Sequence, residues 1–212
     1  MKKILCFDVD GTLVDGVSWL LLTKGLGCSQ QEHLEIFNKA KNSEISFIEG
    51  ERMLTRMYQK SGNATKTYIT SLFSKTKPRP VSKKVISLLK KKGYKIYLIS
   101  GAIDIYVEAI AKMLNVDGFF ANSSLEFDEN QVLSKIHYRD NQGEVKVEQL
   151  KKLTDKLRID VSRDVVFIGD SENDIEAFRI TGKGISVHSN NKKLKSVAWE
   201  NIDSLEELLT IL

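Results

Sequence analysis

The stretch Cys6-Phe7-Asp8-Val9-Asp10-Gly11-Thr12 decides how the rest of this chain is read. It continues Lys2-Lys3 and the apolar pair Ile4-Leu5, so a short buried strand ends by presenting two carboxylates one residue apart. Neighbouring side chains on a strand point to opposite faces, which puts Asp8 and Asp10 on one side and Val9 on the other. Acids held together repel. A hard divalent cation such as Mg2+, which takes oxygen ligands and leaves room for phosphate oxygens, relieves that repulsion. Asp-Gly is also a frequent turn pair after an edge strand, so the stretch gains meaning only in company with other strand ends of the same kind.

The 212 residues, 42% hydrophobic and 28% charged, match an ordinary globular composition. No early apolar run is long enough for a signal-peptide core, and Trp19 to Leu22 falls far short of the ~20 residues of a spanning helix. The expectation is a cytoplasmic protein, monomer or homodimer, with no membrane partner. Its two cysteines, Cys6 in the first strand and Cys28 in a loop, read as reduced thiols. The net charge of +4 comes from lysines clustered at 90–92, 151–152 and 192–193. These read as solvated helix faces; with no interleaved aromatics they do not form a nucleic-acid surface. His33, His137 and His188 are scattered without ligand spacing.

Between Asp15 and Lys77 apolar residues recur at helical spacing in patches over 17–24, 31–41, 47–60 and 66–74, and no strand signal occurs. Both prolines of the chain lie in Lys77-Pro78-Arg79-Pro80, which marks a boundary. From Val81 onward helix and strand alternate. Helices are expected over 82–92, 103–114, 146–157, 174–181 and 204–212. Strands are expected over 94–99, 118–121, 164–168 and 184–187, with a hairpin over 124–138 turning at Asp128 to Asn130. Such alternation specifies a doubly wound parallel-sheet, Rossmann-like α/β core. The core takes residues 1–14 and 78–212, and a small helical domain of residues 15–77 is inserted after the first strand.

Ligands of open parallel sheets bind beyond the carboxyl ends of the strands. Three strands here end in polar turns: the Asp8–Thr12 turn, Ser100-Gly101, and Gly169-Asp170-Ser171-Glu172-Asn173-Asp174. Each alone has a structural reading as a turn or helix cap. Together they line one sheet edge with Asp8, Asp10, Ser100, Asp170 and Asp174, which suits phosphoryl transfer through an aspartyl phosphate. A Mg2+ ion would then bridge Asp8, the Asp10 carbonyl and Asp170, with Asp174 acting through water. Ser100 and the Gly101 amide would hold phosphate oxygens, joined by Lys146 from the start of a helix; Lys151 and Lys152 lie further along the same helix.

With these motifs in view, the chain resembles the haloacid dehalogenase superfamily of aspartate-nucleophile phosphatases. The Asp-x-Asp-x-Thr motif of that family is matched by Asp8, Asp10 and Thr12, its second motif by Ser100, its lysine by Lys146, and its acidic motif by Gly169-Asp170 through Asp174. The resemblance implies that Asp8 is the nucleophile and that Asp10 protonates the leaving oxygen and then activates water. The inserted helices, Ile99 to Asp104 and Phe119 to Asn122 are similar to the phosphoserine phosphatase branch, implying a helical cap over a small phosphorylated metabolite, with phosphoserine as the leading substrate. Three residues depart from that branch: Val17 stands where it carries an acid for the substrate ammonium, Gly11 where it usually has Ser, and Ala102 where it usually has Gly. In the cap, Phe47 with Arg52 or Arg56 are the candidates to face substrate, against the alternative reading of a core aromatic and solvated arginines. A phosphotransferase would use the same residues. A phospho-Asp signalling module would be shorter and carry its reactive Asp on a later strand.

Overall fold

The computed structural model describes residues 4–212; Met1 to Lys3, the expected start of the core, lie outside the described residues. Two apolar runs too short for helices become β1 (Ile4–Phe7) and, far along the chain, β5 (Val165–Gly169). They pair in parallel, Ile4 opposite Val165 and Phe7 opposite Ile168. Near-continuous apolar sequence is what a strand covered on both faces requires. Across β1 lie β2 (Lys95–Ile103) and then β3 (Gly118–Phe127), whose outer neighbour β4 (Leu133–His137) is antiparallel. Beyond β5 lie β6 (Gly184–Val187) and β7 (Glu200–Ile202), completing the seven-stranded order β4-β3-β2-β1-β5-β6-β7. The chain builds outward from β1 through β2 and β3, then returns to its other side at β5. That reversal opens a crevice at the carboxyl ends of β1 and β5.

Four helices fall between β1 and the second core segment: α1 (Ser18–Gly25), α2 (Gln30–Lys41), α3 (Phe47–Lys60) and α4 (Lys66–Ser74). Ser29, Ser46 and Thr65 begin the last three, each side chain accepting an amide hydrogen from the first turn. The core helices are α5 (Pro80–Lys91), α6 (Asp104–Leu114), α7 (Gln142–Leu157), α8 (Val161–Asp164), α9 (Ile175–Thr181), α10 (Lys192–Val197) and α11 (Leu208–Ile211). The sheet alternation divides them. Leu5 and Phe7 point into a core with Val85 and Ile86 of α5 and Val107 and Ile110 of α6. Ile4 and Cys6 point the other way, toward Leu150 and Leu153 of α7, Phe178 of α9 and Leu194 of α10. The inserted helices join the first core, with the Phe73 ring set edge-on to Tyr106, centroids 5.3 Å apart.

Several elements differ from the sequence expectation. β2 does not stop at Ser100-Gly101 but runs on to Ile103 through an irregularity between Ser100 and Ile103. The expected strand at 118–121 and the first hairpin arm are one strand: β3 pairs with β2 up to Ser123, then with β4 from Ser124. No Gly or Pro interrupts it there. The single-turn α8, α10 and β7 are too short to leave a periodic signature, and the closing segment is a 3-10 turn over Leu205–Glu207 followed by α11. The β3–β4 hairpin also reaches the inserted helices, where the Lys66 amide donates to Gln131 O at 2.9 Å and the Leu133 amide to Ala64 O at 2.8 Å.

Because Phe73 is fully buried against Tyr106, Phe73→Ala should cost about 3–5 kcal/mol. Chemical denaturation should show one cooperative transition shifted to lower denaturant; two separate transitions would mean that the inserted helices fold apart from the sheet.

Candidate active site

Asp8 follows directly on β1, and its amide still pairs with Ile168 O at 2.9 Å, so the strand ladder itself aims its carboxylate at the crevice. The chain then turns: the amides of Leu13 and Val14 return to Val9 O, and the Gly11 amide to Val14 O. Gly11 has φ +78°, and a Cβ there would collide with Asp170 Oδ2. A side chain there is strained by conformation and would push the Asp170 carboxylate aside. Arg79, within the boundary segment Lys77 to Pro80, locks this turn, its guanidinium donating to Gly11 O at 2.9 Å and Thr12 O at 3.3 Å and pairing with Asp15 at 2.7 Å.

Lys146 is the centre of the charge arrangement. It lies on the second turn of α7, on the face turned to the sheet, and its side chain is 1% exposed. Its Nζ is 3.0 Å from Asp8 Oδ1, an ion pair without hydrogen-bond alignment, and donates to Asp174 Oδ1 at 2.5 Å and Asn173 Oδ1 at 3.0 Å. The helix begins at Gln142, four residues before Lys146, rather than at Lys146 as expected. Asn141 caps it by accepting the Glu144 amide hydrogen. Asp174 Oδ2 accepts the amide hydrogens of Asp170 and Ser171, both at 3.1 Å. With Oδ1 on Lys146, both of its oxygens accept hydrogens, which ties the loop after β5 to the lysine. Thr12 Oγ1 donates to Asp170 Oδ1 at 2.8 Å.

Asp10 is held separately. Its Oδ2 accepts from the Ser18 amide and the Ser18 hydroxyl, each at 2.9 Å, at the start of α1. Oδ1 is buried with no hydrogen-bond partner. Burial raises the Asp10 pKa above the usual carboxylate range, opposed by Ser18 and the nearby Tyr106 hydroxyl. Burial likewise pushes Asp8 up to about 7 against the pull of Lys146, and Asp170 up to about 6 against its Thr12 bond. For Lys146 burial acts to lower the pKa, but the charges of Asp174 and Asp8 outweigh it and hold it above its ordinary value. The lysine stays protonated.

Asp8, Asp10, Ser100, Gly101 and Asp170 face one cavity of about 360 Å³. Asp8, Asp170 and Asp174 each bring one carboxylate oxygen within 4.8 Å of the others. Four carboxylates thus gather around one lysine that pairs with two of them, and their oxygen-rich donor set fits a hard divalent cation; Asp10 Oδ1 is buried without a hydrogen bond, and Asp8 Oδ1 has only its ion pair with Lys146. Opposite them, the Ala102 amide donates to Ser100 Oγ at 3.2 Å, and a Cβ at Gly101 would collide with Gln142 Oε1.

Sequence reasoning missed Ser18, Tyr106, Gln142 and Asn173. Gln142 accepts from Asn173 Nδ2 at 3.0 Å and donates to the Tyr138 hydroxyl at 2.7 Å. Its i, i+4 relation to Lys146 puts both on one helix face, a signal available in the sequence. Phe47 stacks on Tyr138, ring centroids 5.9 Å apart, in an adjoining cavity. The two arginines expected beside it are elsewhere: Arg52 and Arg56 are exposed and line neither cavity, Arg56 facing a separate one with Cys28 and Met57. The face that α3 turns to the cavity carries Phe47, Gly50, Glu51 and Leu54, at the spacing of a single helical stripe, and both arginines fall outside it.

Fold and site together define an α/β enzyme whose carboxylates cluster at the switch point of a parallel sheet. A model of the haloacid dehalogenase-like hydrolases matches residues 2–182, and the chain belongs to that family. It is 30% identical over 211 residues to a phosphoserine phosphatase of Lactococcus lactis, covering 100% of this chain and 94% of that protein. A phosphoserine phosphatase of Methanocaldococcus jannaschii is 27% identical over 188 residues, covering 87% and 85%. A solved phospho-aspartyl intermediate analogue of phosphoserine phosphatase superposes with TM-score 0.74 at 25% identity, covering 100% and 99%. A substrate-bound phosphoserine phosphatase complex, 24% identical, shares the fold with TM-score 0.76 over 100% and 99%. The chain is accordingly a phosphatase-type hydrolase of the phosphoserine phosphatase-like branch. Among the described residues no helix is long and apolar enough to cross a membrane.

Two outcomes are expected from this site. Lys146→Met leaves Asp8 and Asp174 buried without their cation and should cost about 3–5 kcal/mol in denaturant unfolding; adding Asp174→Asn should recover part of that loss, and strict additivity would show that the two do not interact. The raised pKa of Asp8 gives stability that is present in acid and lost as pH rises through about 7. Cation binding needs the ionised carboxylates, so saturating MgCl2 should raise the Tm by several degrees at about pH 8 and by little at about pH 5. Equal shifts at both would argue against this cluster as the cation site.

Proposed function

We propose that this protein is a Mg2+-dependent phosphomonoesterase that hydrolyses a small phosphorylated metabolite through an aspartyl phosphate on Asp8. The observation that carries the reading is the Asp8 carboxylate at the end of β1, 3.0 Å from a buried lysine and beside Asp170, on the wall of a cavity that also exposes Ser100 and Gly101. Mg2+ held by Asp8, the Asp10 carbonyl and Asp170 would neutralise phosphate charge when bound.

Asp8 attacks phosphorus, forming an acyl phosphate as the ester P–O bond breaks. Asp10, whose pKa is raised by burial and whose Oδ2 is fixed by Ser18, gives its proton from Oδ1 to the departing oxygen. The same carboxylate then takes a proton from the water that attacks the acyl phosphate, which frees inorganic phosphate and restores Asp8. Lys146 keeps Asp8 ionised at the start and orients it throughout. Ser100 Oγ and the Gly101 amide supply donors to the phosphate oxygens. Residues 15–77 act as a cap that excludes bulk water during these steps.

The relatives' names make phosphoserine the reference substrate. Phosphate release should be measured over a panel of small phosphomonoesters including L-phosphoserine, with and without Mg2+. Asp8→Asn should reduce turnover at least about a thousandfold while the variant remains folded, because removing a nucleophile removes the covalent route entirely. Retained turnover in Asp8→Asn would overturn the mechanism.

A further inference from the structure

The catalytic cavity adjoins a second chamber of about 250 Å³, and Val17, Trp19 and Gln142 line both. Its remaining wall comes from α1, α2 and α3 and from Ile136 and Tyr138 at the end of the β3–β4 hairpin. Almost all of it is hydrocarbon and aromatic ring. Leu34 and Phe37, on α2, are 44% and 39% exposed, and Val17 at the junction is 49% exposed; such large apolar side chains are left in contact with solvent around one opening. Contiguous exposed apolar surface of this kind marks a binding site more often than chance.

The polar groups of the chamber are few. Glu51 Oε1 accepts the Tyr138 amide hydrogen at 2.7 Å. His33 Nδ1 lies 2.8 Å from Thr23 Oγ1 and 3.0 Å from the Tyr58 hydroxyl, and burial lowers its pKa, so the ring is neutral. Among the described residues lining either cavity there is no lysine or arginine. The carboxylate of an amino-acid substrate would enter this space without a cation to meet it, and an unpaired charge against hydrocarbon is costly. An alkyl or aryl group would instead exchange water for wall.

We propose that this chamber receives the organic part of the phosphate ester and that it selects apolar groups, so that the substrate is an alkyl or aryl phosphomonoester rather than a phosphorylated amino acid. This selectivity rests on the proposal that Asp8 acts on a phosphate monoester bound in the adjoining cavity. Val17 is the dividing residue, the point at which the polar phosphate site gives way to the apolar one.

The test uses calorimetric titration of the whole chain, in saturating MgCl2, with phosphonates that cannot be hydrolysed: methyl-, propyl- and hexylphosphonate and the phosphonate analogue of phosphoserine. Affinity should rise about fourfold for each methylene added until the chamber is filled, and hexylphosphonate should bind more tightly than the phosphoserine analogue. Phe37→Ser and Leu34→Ser, both at exposed positions, should each lower the hexyl-to-methyl affinity ratio by at least about fivefold. A flat series, or tighter binding of the phosphoserine analogue, overturns the inference even if phosphate esters are hydrolysed. A rising series in a protein that hydrolyses no ester upholds the chamber and removes the phosphatase reading instead.

Discussion

A protonated lysine buried among carboxylates is the constraint on which the rest of the site depends. Lys146 has almost no contact with solvent, and a lone ammonium in that position would be far too costly to keep charged. It remains charged because Asp8 and Asp174 stand within ion-pair distance and Asn173 accepts a further hydrogen. Lysine and partners come from three places in the chain, so the pairing exists only when β1, α7 and the loop after β5 are assembled. The acids depend on it equally. Without the lysine, carboxylates crowded at one sheet edge would repel or take up protons, Asp8 among them.

Around that charge centre, ordinary backbone devices set the geometry. The ladder between β1 and β5 carries Asp8 and Asp170 to neighbouring positions, since the Asp8 amide still pairs with Ile168. The Gly11 turn lets the chain double back where any side chain would strike Asp170. Asp174 gives one oxygen to the amides of its own loop and the other to Lys146, so one residue ties loop conformation to charge balance. Arg79 then fastens the same turn to the segment that returns from the inserted helices.

The polar and the apolar surroundings of the crevice come from two parts of the fold. The sheet edge holds acids, hydroxyl and amide donors suited to a phosphoryl group. The inserted helices and the hairpin supply hydrocarbon, and their apolar chamber meets the phosphate site at Val17. The match to the haloacid dehalogenase-like hydrolases, over residues 2–182, takes in both parts. At 30% identity to the Lactococcus lactis phosphoserine phosphatase, the chain has room to differ in the second.

Much of this was readable from the residues in order. Alternating helix and strand signals and the helical patches between residues 15 and 77 implied the α/β core and the helices after its first strand, because periodicity and breakers are local properties. Strand ends rich in Asp, Ser and Gly placed Asp8, Asp10, Ser100, Asp170 and Asp174 on one edge, because a parallel sheet aligns its carboxyl ends. What the sequence could not carry were relations between distant segments. The continuation of β2 to Ile103 and the fusion of two expected strands into β3 come from pairing with neighbours, not from composition. Gln142 beside Gly101 and the Lys146 bond to Asp174 arise from packing between distant segments, and Ser18 on Asp10 from the way the chain turns into α1. The arginines of α3 illustrate the same limit: the sequence left Arg52 and Arg56 open between the substrate side and solvent, and the docking of α3 against the hairpin decided for solvent. Local chemistry determined which residues this protein would use, while the tertiary structure decided which of them meet, since hydrogen bonds, ion pairs and desolvation act across space rather than along the chain.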